Sequence, residues 1–309
     1  MQPLYVHTPL WHSSALSAIT GIPVYLKMEA LQPVGSFKAR GMGAICQDMA
    51  LAGVQKVICS SGGNAGFATA YACRQLGLDA TIVVPETTPQ RSRDLVQGEG
   101  ARLLIHGASW DDAHAYSLEL AHHTGAGYVH PFDDPRIWTG HASLVAEIAQ
   151  SGIKPGMVAV SVGGGGLLCG VLEGLYAVGW EDVPVLAIET EGAASFAASV
   201  KAGRLVTLEK ITSLATTLGA RTVTARALEW THHHEIIPWL VTDRQAVNAC
   251  LRFSGDHRLL VEPACGAALS VVYDRAPILA GHAPLVVIVC GGAGVTLELL
   301  QQWDKRTLV

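Results

Sequence analysis

The sequence predicts an α/β protein with two open, mainly parallel β-sheets flanked by helices. Three observations predict it. Short apolar, β-branched runs alternate with longer segments of helical pattern. The runs are continuously apolar rather than alternating, as strands buried on both faces should be. Each run is followed by a glycine-rich turn or a helical segment, the kind of connection that parallel strands require.

In chain order, KVICS (56–60) precedes the helical NAGFATAYACRQLG, ATIVVP (80–85) precedes TPQRSRDLVQGEG, and ARLLI (101–105) precedes SWDDAHAYSLELAHHTG. MVAVSV (157–162), VPVLAIE (183–189) and PLVVIVC (284–290) supply three more strands. The βα series over 41–136 reads as a small domain inserted into a larger one made of 1–40 and 137–309. No repeat, linker or low-complexity tract interrupts this order.

Composition narrows the function classes. Of 309 residues, 50% are hydrophobic and 15% charged, enough apolar material for a large core. A net charge of −5 offers neither a nucleic-acid footprint nor a polybasic membrane patch. No apolar run is long enough to cross a bilayer. The start, MQPLYVHTPLWHSS, lacks the charged end and apolar core of an export signal. Seven cysteines, odd in number and without CxxC spacing, argue against a disulfide framework or zinc ribbon and for a reducing cytoplasm.

The 33 glycines gather in a few loops. SVGGGGLLCG (161–170) follows a strand and opens a helix, so the backbone N–H groups of Gly163–Gly166 can meet an anion at the positive helix end. A flexible turn is the alternative. The Gly-Lys-Ser/Thr of a P-loop is missing and the G-x-G-x-x-G register fails, so a phosphate held here belongs to something other than a nucleotide. SSGGNAG (60–66) offers Ser60, Ser61 and Asn64 as a carboxylate pocket, a helix cap, or both. VIVCGGAGVT (287–296) sets Cys290 at the carboxyl edge of a sheet, where such folds bind ligands; a structural cysteine is the alternative. VGSFKARG (34–41) places Lys38 after a Gly-Ser-Phe turn, at the start of a helix. In WTHHHEIIPW (230–239) the adjacent histidines point apart, so a polar helix end or turn is expected rather than a metal site. His130 and His141 lie near the domain crossover, with catalytic and ordinary structural roles both open. Cys169 and Cys265 are expected to pack.

These segments, in this order, resemble the β-family (fold type II, tryptophan synthase β-like) of pyridoxal-phosphate enzymes, and within it the short catabolic L-serine/L-threonine dehydratases. The likeness spans nearly the whole chain. GSFKARG resembles the cofactor-lysine motif, SSGGNAG the substrate-carboxylate loop and GGGGL the phosphate loop, while VEPACGAAL (261–269) and VCGGAG are similar to the dehydratases in particular. The resemblance implies that Lys38 joins pyridoxal 5'-phosphate as a Schiff base and acts as the general base at the substrate's α-carbon. It implies that Phe37 packs beside the cofactor ring, Asn64 bonds the ring hydroxyl, and Gly163, Gly164, Gly165, Gly166 and Leu167 hold the phosphate. Cys290 would face the pyridine nitrogen, and Ser61, Gly62, Asn64 and Ala65 would line the substrate site. A monovalent cation, usually potassium, would be held by Gly163, Glu189, Ala193, Ser195, Leu218 and Ala220. The cofactor phosphate would serve as the acid for the leaving hydroxyl.

The implied reaction is β-elimination from L-serine, giving pyruvate and ammonia, and from L-threonine, giving 2-oxobutanoate and ammonia, in a cytoplasmic homodimer. A neutral thiol at the pyridine nitrogen gives a weaker electron sink than a carboxylate, which suits elimination over transamination or racemisation. Racemases resemble this chain but carry serine at the position of Gly62, so racemase activity is expected to be minor. Where short dehydratases place alanine, Gly62 is expected to open space near the substrate. The chain's end at Val309 predicts no appended regulatory domain and no isoleucine inhibition through one. Related alternatives are serine racemase or a β-replacement synthase; Ala39 after the lysine departs from threonine synthases, and the loops depart from cysteine synthases. The non-enzyme alternative is an amino-acid-binding protein that kept the fold.

Overall fold

A computed structural model describes residues 1–307. Along them run β1 (Leu10–His12), α1 (Ser14–Thr20), β2 (Val24–Lys27), α2 (Lys38–Leu51), β3 (Lys56–Cys59), α3 (Asn64–Leu76), β4 (Asp79–Val84), α4 (Gln90–Gly98), β5 (Arg102–Ile105), α5 (Trp110–Thr124), β6 (Gly127–Val129) and α6 (Pro135–Gln150). There follow β7 (Met157–Ser161), α7 (Gly166–Ala177), β8 (Val185–Thr190), α8 (Ser195–Ala202), α9 (Ala225–Trp230), β9 (Ile236–Val241), α10 (Asp243–His257), α11 (Pro263–Tyr273), β10 (Leu285–Ile288) and α12 (Leu297–Thr307). The α/β class with two sheets is as the sequence predicts, and all six expected strands are present.

One unit comprises Met1–Val6 and Gln32–His141. Its four-stranded sheet has the order β5-β4-β3-β6 and is parallel throughout. Val57, Ile58, Cys59, Ile82, Val83 and Val84 are buried, which is why these strands read as unbroken apolar runs. The other unit comprises His7–Leu31 and the chain from Ala142 onwards. Its six-stranded sheet has the order β1-β2-β10-β7-β8-β9, parallel except where β1 pairs with β2.

The division differs from the expected 1–40 plus 137–309 against 41–136. Residues 1–6 and 32–40 belong to the first unit because they are tied to it. Gln32 exchanges two hydrogen bonds with the Val6 backbone, and Arg40 stacks 4.5 Å over the Tyr5 ring. At the other end α6 is one continuous helix, and the units divide between His141 and Ala142.

In the second unit the later half of α6 is anchored by charge. Buried Lys27 of β2 donates to Glu147 and to the Thr8 carbonyl, and Thr8 Oγ1 donates to Glu29 at 2.6 Å. Such a buried pair costs desolvation to form but is costly to break, so it fixes one arrangement of helix on strand.

Four strands escape the sequence reading, for physical reasons. β1 and β6 are three residues long, too short for periodicity to show. β2 is four residues and carries the buried Lys27. β9 contains Pro238, which argues against a strand, yet β9 lies at the sheet edge where a missing N–H is tolerated.

Candidate active site

Lys38 is the first residue of α2, as the motif predicts. Its Nζ donates to the Pro131 carbonyl and stands 5.1 Å from the centre of the Phe37 ring. Phe37 packs on His141 with centroids 4.8 Å apart. His141 is completely buried, and burial, with the charges of Lys38 and Arg40, holds it well below the usual imidazole range. It is therefore a neutral packing partner of the lysine turn, not an acid at neutral pH. Its two ring nitrogens and the buried Ser36 Oγ have no hydrogen-bond partner among the described residues. The turn thus carries polar atoms that the protein leaves unsatisfied, as a polar ligand site would.

The SSGGNAG segment links β3 to α3, which begins at Asn64. The helix-cap reading of the serines fails: Gly63 is the N-cap and no side chain caps the helix, while Ser61 Oγ takes the Gly63 N–H at 3.3 Å. A helix start without a side-chain cap is an arrangement that suits an anionic ligand. Gly66 lets the loop fold back, since a Cβ there would lie 1.8 Å from the Ser61 carbonyl oxygen. Ala65 is buried beside Asn64.

The space expected beside Gly62 is not open. A Cβ at position 62 would lie 2.6 Å from both Cγ2 and Oγ1 of Thr88, whose side chain fills that volume. No sequence motif marks Thr88, and its segment is 26 residues away along the chain. His130 is a turn former: its Nδ1 accepts the N–H groups of Phe132, at 3.2 Å, and Asp133, at 2.8 Å. That fixes the proton on Nε2. Burial, with His114 and Lys38 nearby, lowers its pKa to about 4, so the ring is neutral near pH 7.

The second unit holds the GGGG loop between β7 and α7. Gly165 has φ +91°, and a Cβ there would lie 2.9 Å from Ala227, Thr224 and Val223. A Cβ on Gly163 would lie 3.0 Å from the Cα of Leu218. Only glycine keeps this course, and Thr224 N–H pins it by donating to the Gly164 carbonyl at 3.0 Å. The N–H groups of Gly166 and Leu167 open α7 and have no helical acceptor. Beneath the loop, buried Ser161 Oγ has no hydrogen-bond partner among the described residues. A cradle bare of side chains, at a helix N-terminus, fits a phosphate.

Cys290 follows β10 at the carboxyl edge of this sheet and is buried. A hydrogen bond with Cys265, then burial, raises its pKa well above the usual thiol range, so the thiol is neutral. The loop after it depends on Glu262, which the VEPACGAAL motif contains but whose role spacing does not reveal. Gly292 has φ +133°, and a Cβ there would lie 2.0 Å from the Glu262 carboxyl carbon; Thr217 Oγ1 donates to Glu262 at 2.6 Å.

Glu189 lies in β8, and its carboxylate accepts the N–H groups of Phe196 and Ala197 at 2.8 and 2.7 Å. Burial raises its pKa to about 7 against those bonds. Ser195 Oγ is buried without a partner among the described residues, Ala193 is buried, and Gly163 abuts Leu218, whose carbonyl accepts the Ala220 N–H. Among the described residues no group of three or more His, Cys, Asp or Glu could hold a metal ion. His232–His234 fall in the turn after α9, where His234 pairs with the Val183 carbonyl at 2.9 Å. No helix among the described residues is long and apolar enough to cross a membrane.

Comparison with known proteins places these sites in context. The family model described as "Pyridoxal-phosphate dependent enzyme" matches residues 1–291. The chain is 49% identical to the L-serine dehydratase/L-threonine deaminase of Mus musculus, over 97% of this chain and 95% of that protein. It is 50% identical to the serine dehydratase-like protein of Homo sapiens, over 97% and 94% respectively. Among solved structures, the fungal L-serine ammonia-lyase from Rhizomucor miehei superposes with a TM-score of 0.93 at 39% identity, covering 99% of both chains.

Two outcomes follow from the geometry. Gly62→Ala forces Thr88 aside and is expected to cost about 1–3 kcal/mol by overpacking, while adding Thr88→Ala restores most of it. Denaturant unfolding of the single and double variants checks this; strictly additive losses would contradict it. His130 titrates near its ordinary value of 6.5 when unfolded and near 4 when folded. The unfolded chain therefore binds the proton first, and stability is lost as pH falls from 6.5 towards 4. His130→Asn, which keeps an acceptor for the turn, should flatten that part of the stability–pH curve.

Proposed function

Because the chain belongs to the pyridoxal-phosphate-dependent enzyme family, we propose that it deaminates L-serine to pyruvate and L-threonine to 2-oxobutanoate by β-elimination. When bound, pyridoxal 5'-phosphate supplies the electron sink for the charge left when the α-proton departs. The chain's own residues supply position and proton transfer. Lys38 Nζ is the point of covalent attachment and the base that takes the α-proton, with Phe37 against the ring. The N–H groups of Gly163, Gly164, Gly165, Gly166 and Leu167 hold the phosphate, and Asn64 bonds the ring hydroxyl. Ser61, Gly62, Asn64 and Ala65 take the substrate carboxylate. Gly163, Glu189, Ala193, Ser195, Leu218 and Ala220 take potassium. A homodimer in the cytoplasm completes the reading, and seven free, buried cysteines suit a reducing compartment.

The observation that carries the choice of elimination is Cys290. Its thiol is kept neutral by Cys265 and burial, so it cannot stabilise a protonated pyridine nitrogen as a carboxylate would. Loss of the β-hydroxyl would then drain the charge, the hydroxyl leaving as water with a proton that the cofactor phosphate would supply. The released enamine hydrolyses to the 2-oxo acid and ammonia.

The purified protein should release 2-oxo acid from L-serine and L-threonine, and Lys38→Ala should reduce this to the uncatalysed background. Parental turnover by Lys38→Ala would refute the assignment. Exchanging potassium for tetramethylammonium should lower the melting temperature of the parent but not of Glu189→Gln; a parent that melts alike in both salts holds no such cation.

A further inference from the structure

The first unit contains a hydrogen-bonded group that the cofactor and substrate roles above do not use. Ser60 closes the turn from β3 into the SSGGNAG loop and is completely buried. Its Oγ lies 2.6 Å from the Tyr128 hydroxyl, which lies 2.7 Å from His114 Nδ1; Ser60 Oγ and His114 Nδ1 are 3.4 Å apart. The Ser60 carbonyl accepts the Trp110 indole N–H at 2.5 Å, and the Trp110 and His114 rings stack at 4.7 Å with 9° between their planes. The parts come from separate elements. Tyr128 is on β6, opposite Ile58 of β3, two residues before Ser60, while Trp110 and His114 are on α5.

We propose that Tyr128, held between His114 and Ser60, is a positioning residue that fixes the Ser60–Gly63 backbone and thereby the affinity for the amino-acid carboxylate. The substrate part rests on the function proposed above. The proton inventory shows how the group works. With Nδ1 of neutral His114 as acceptor, the Tyr128 hydroxyl donates to it and the Ser60 hydroxyl donates to Tyr128. Protonated His114 can only donate from Nδ1. Tyr128 must then donate to Ser60, whose own hydroxyl is turned outwards from the trio. The state of a half-buried ring on α5 is passed in this way to the root of the loop.

His114 is faced by Asp111 from its own helix, Tyr128 from β6, His130 from the segment after β6, and Ser60 from the end of β3. Burial lowers its pKa from 6.5, with Asp111 opposing, so the neutral arrangement holds at pH 7 and reverses on acidification.

The test compares the parent holoenzyme with Tyr128→Phe by hydrogen–deuterium exchange of the 60–64 peptide and by the KM and kcat for L-serine. Loss of one buried hydrogen bond should speed loop exchange and raise KM by about tenfold each, with kcat little changed. The bend that His114 imposes on the parent's KM–pH curve below pH 6.5 should vanish in Tyr128→Phe. Ser60→Ala, which removes the other end of the group, should reproduce the exchange effect and serves if Tyr128→Phe does not fold. Parental exchange in either variant, or an unchanged KM with the same bend, overturns the proposal. A parent that releases no 2-oxo acid would refute the proposed function alone, because loop exchange still decides the positioning role.

Discussion

A lysine that opens a helix brings its ammonium to the positive end of the helix dipole, the end least favourable for it. Lys38 is in that position, and the first unit is arranged to keep it there. The Pro131 carbonyl accepts from Nζ, and Phe37 is clamped on the buried, neutral ring of His141. The second glycine in GSFKARG, Gly41, is part of the same constraint. A Cβ on Gly41 would lie 2.5 Å from His141 Cε1, and one on Gly140 would lie 2.8 Å from the Arg40 carbonyl oxygen. Bare backbone on both helices lets α2 lie against α6, and that contact orients the amine.

The same economy of side chains recurs at the carboxyl ends of both sheets. In the first unit β3 leads through Ser60–Gly63 into α3, and in the second β7 leads through Gly163–Gly165 into α7. Each helix starts without a side-chain cap, an arrangement that binds anions without a fixed positive charge. Cys290 works by what it lacks. A neutral thiol, not a carboxylate, stands at the end of this parallel strand.

Much of this is legible in the sequence because the physics is local. Buried parallel strands must be apolar throughout, so Met157–Ser161 and Leu285–Ile288 stand out. Anion loops need glycine, so both are visible as letters. Lys38 is visible because the turn before it is short. The remainder depends on residues remote in the chain. Thr88 fills the volume at Gly62, Glu262 shapes the turn at Gly292, and Tyr128 and His114 reach Ser60 from 68 and 54 residues away. No spacing rule encodes such contacts. The unit boundary was hidden for the same reason: Gln32 and Arg40 are held by residues at the extreme N-terminus.

The amine of Lys38 decides whether this chain works as proposed. Borohydride reduction of the holoenzyme, followed by proteolysis and mass spectrometry, locates the residue that carries the cofactor. One pyridoxyl adduct is expected, on the peptide containing Lys38. An adduct on another lysine, or a chain that binds pyridoxal 5'-phosphate with no reducible linkage, would contradict it.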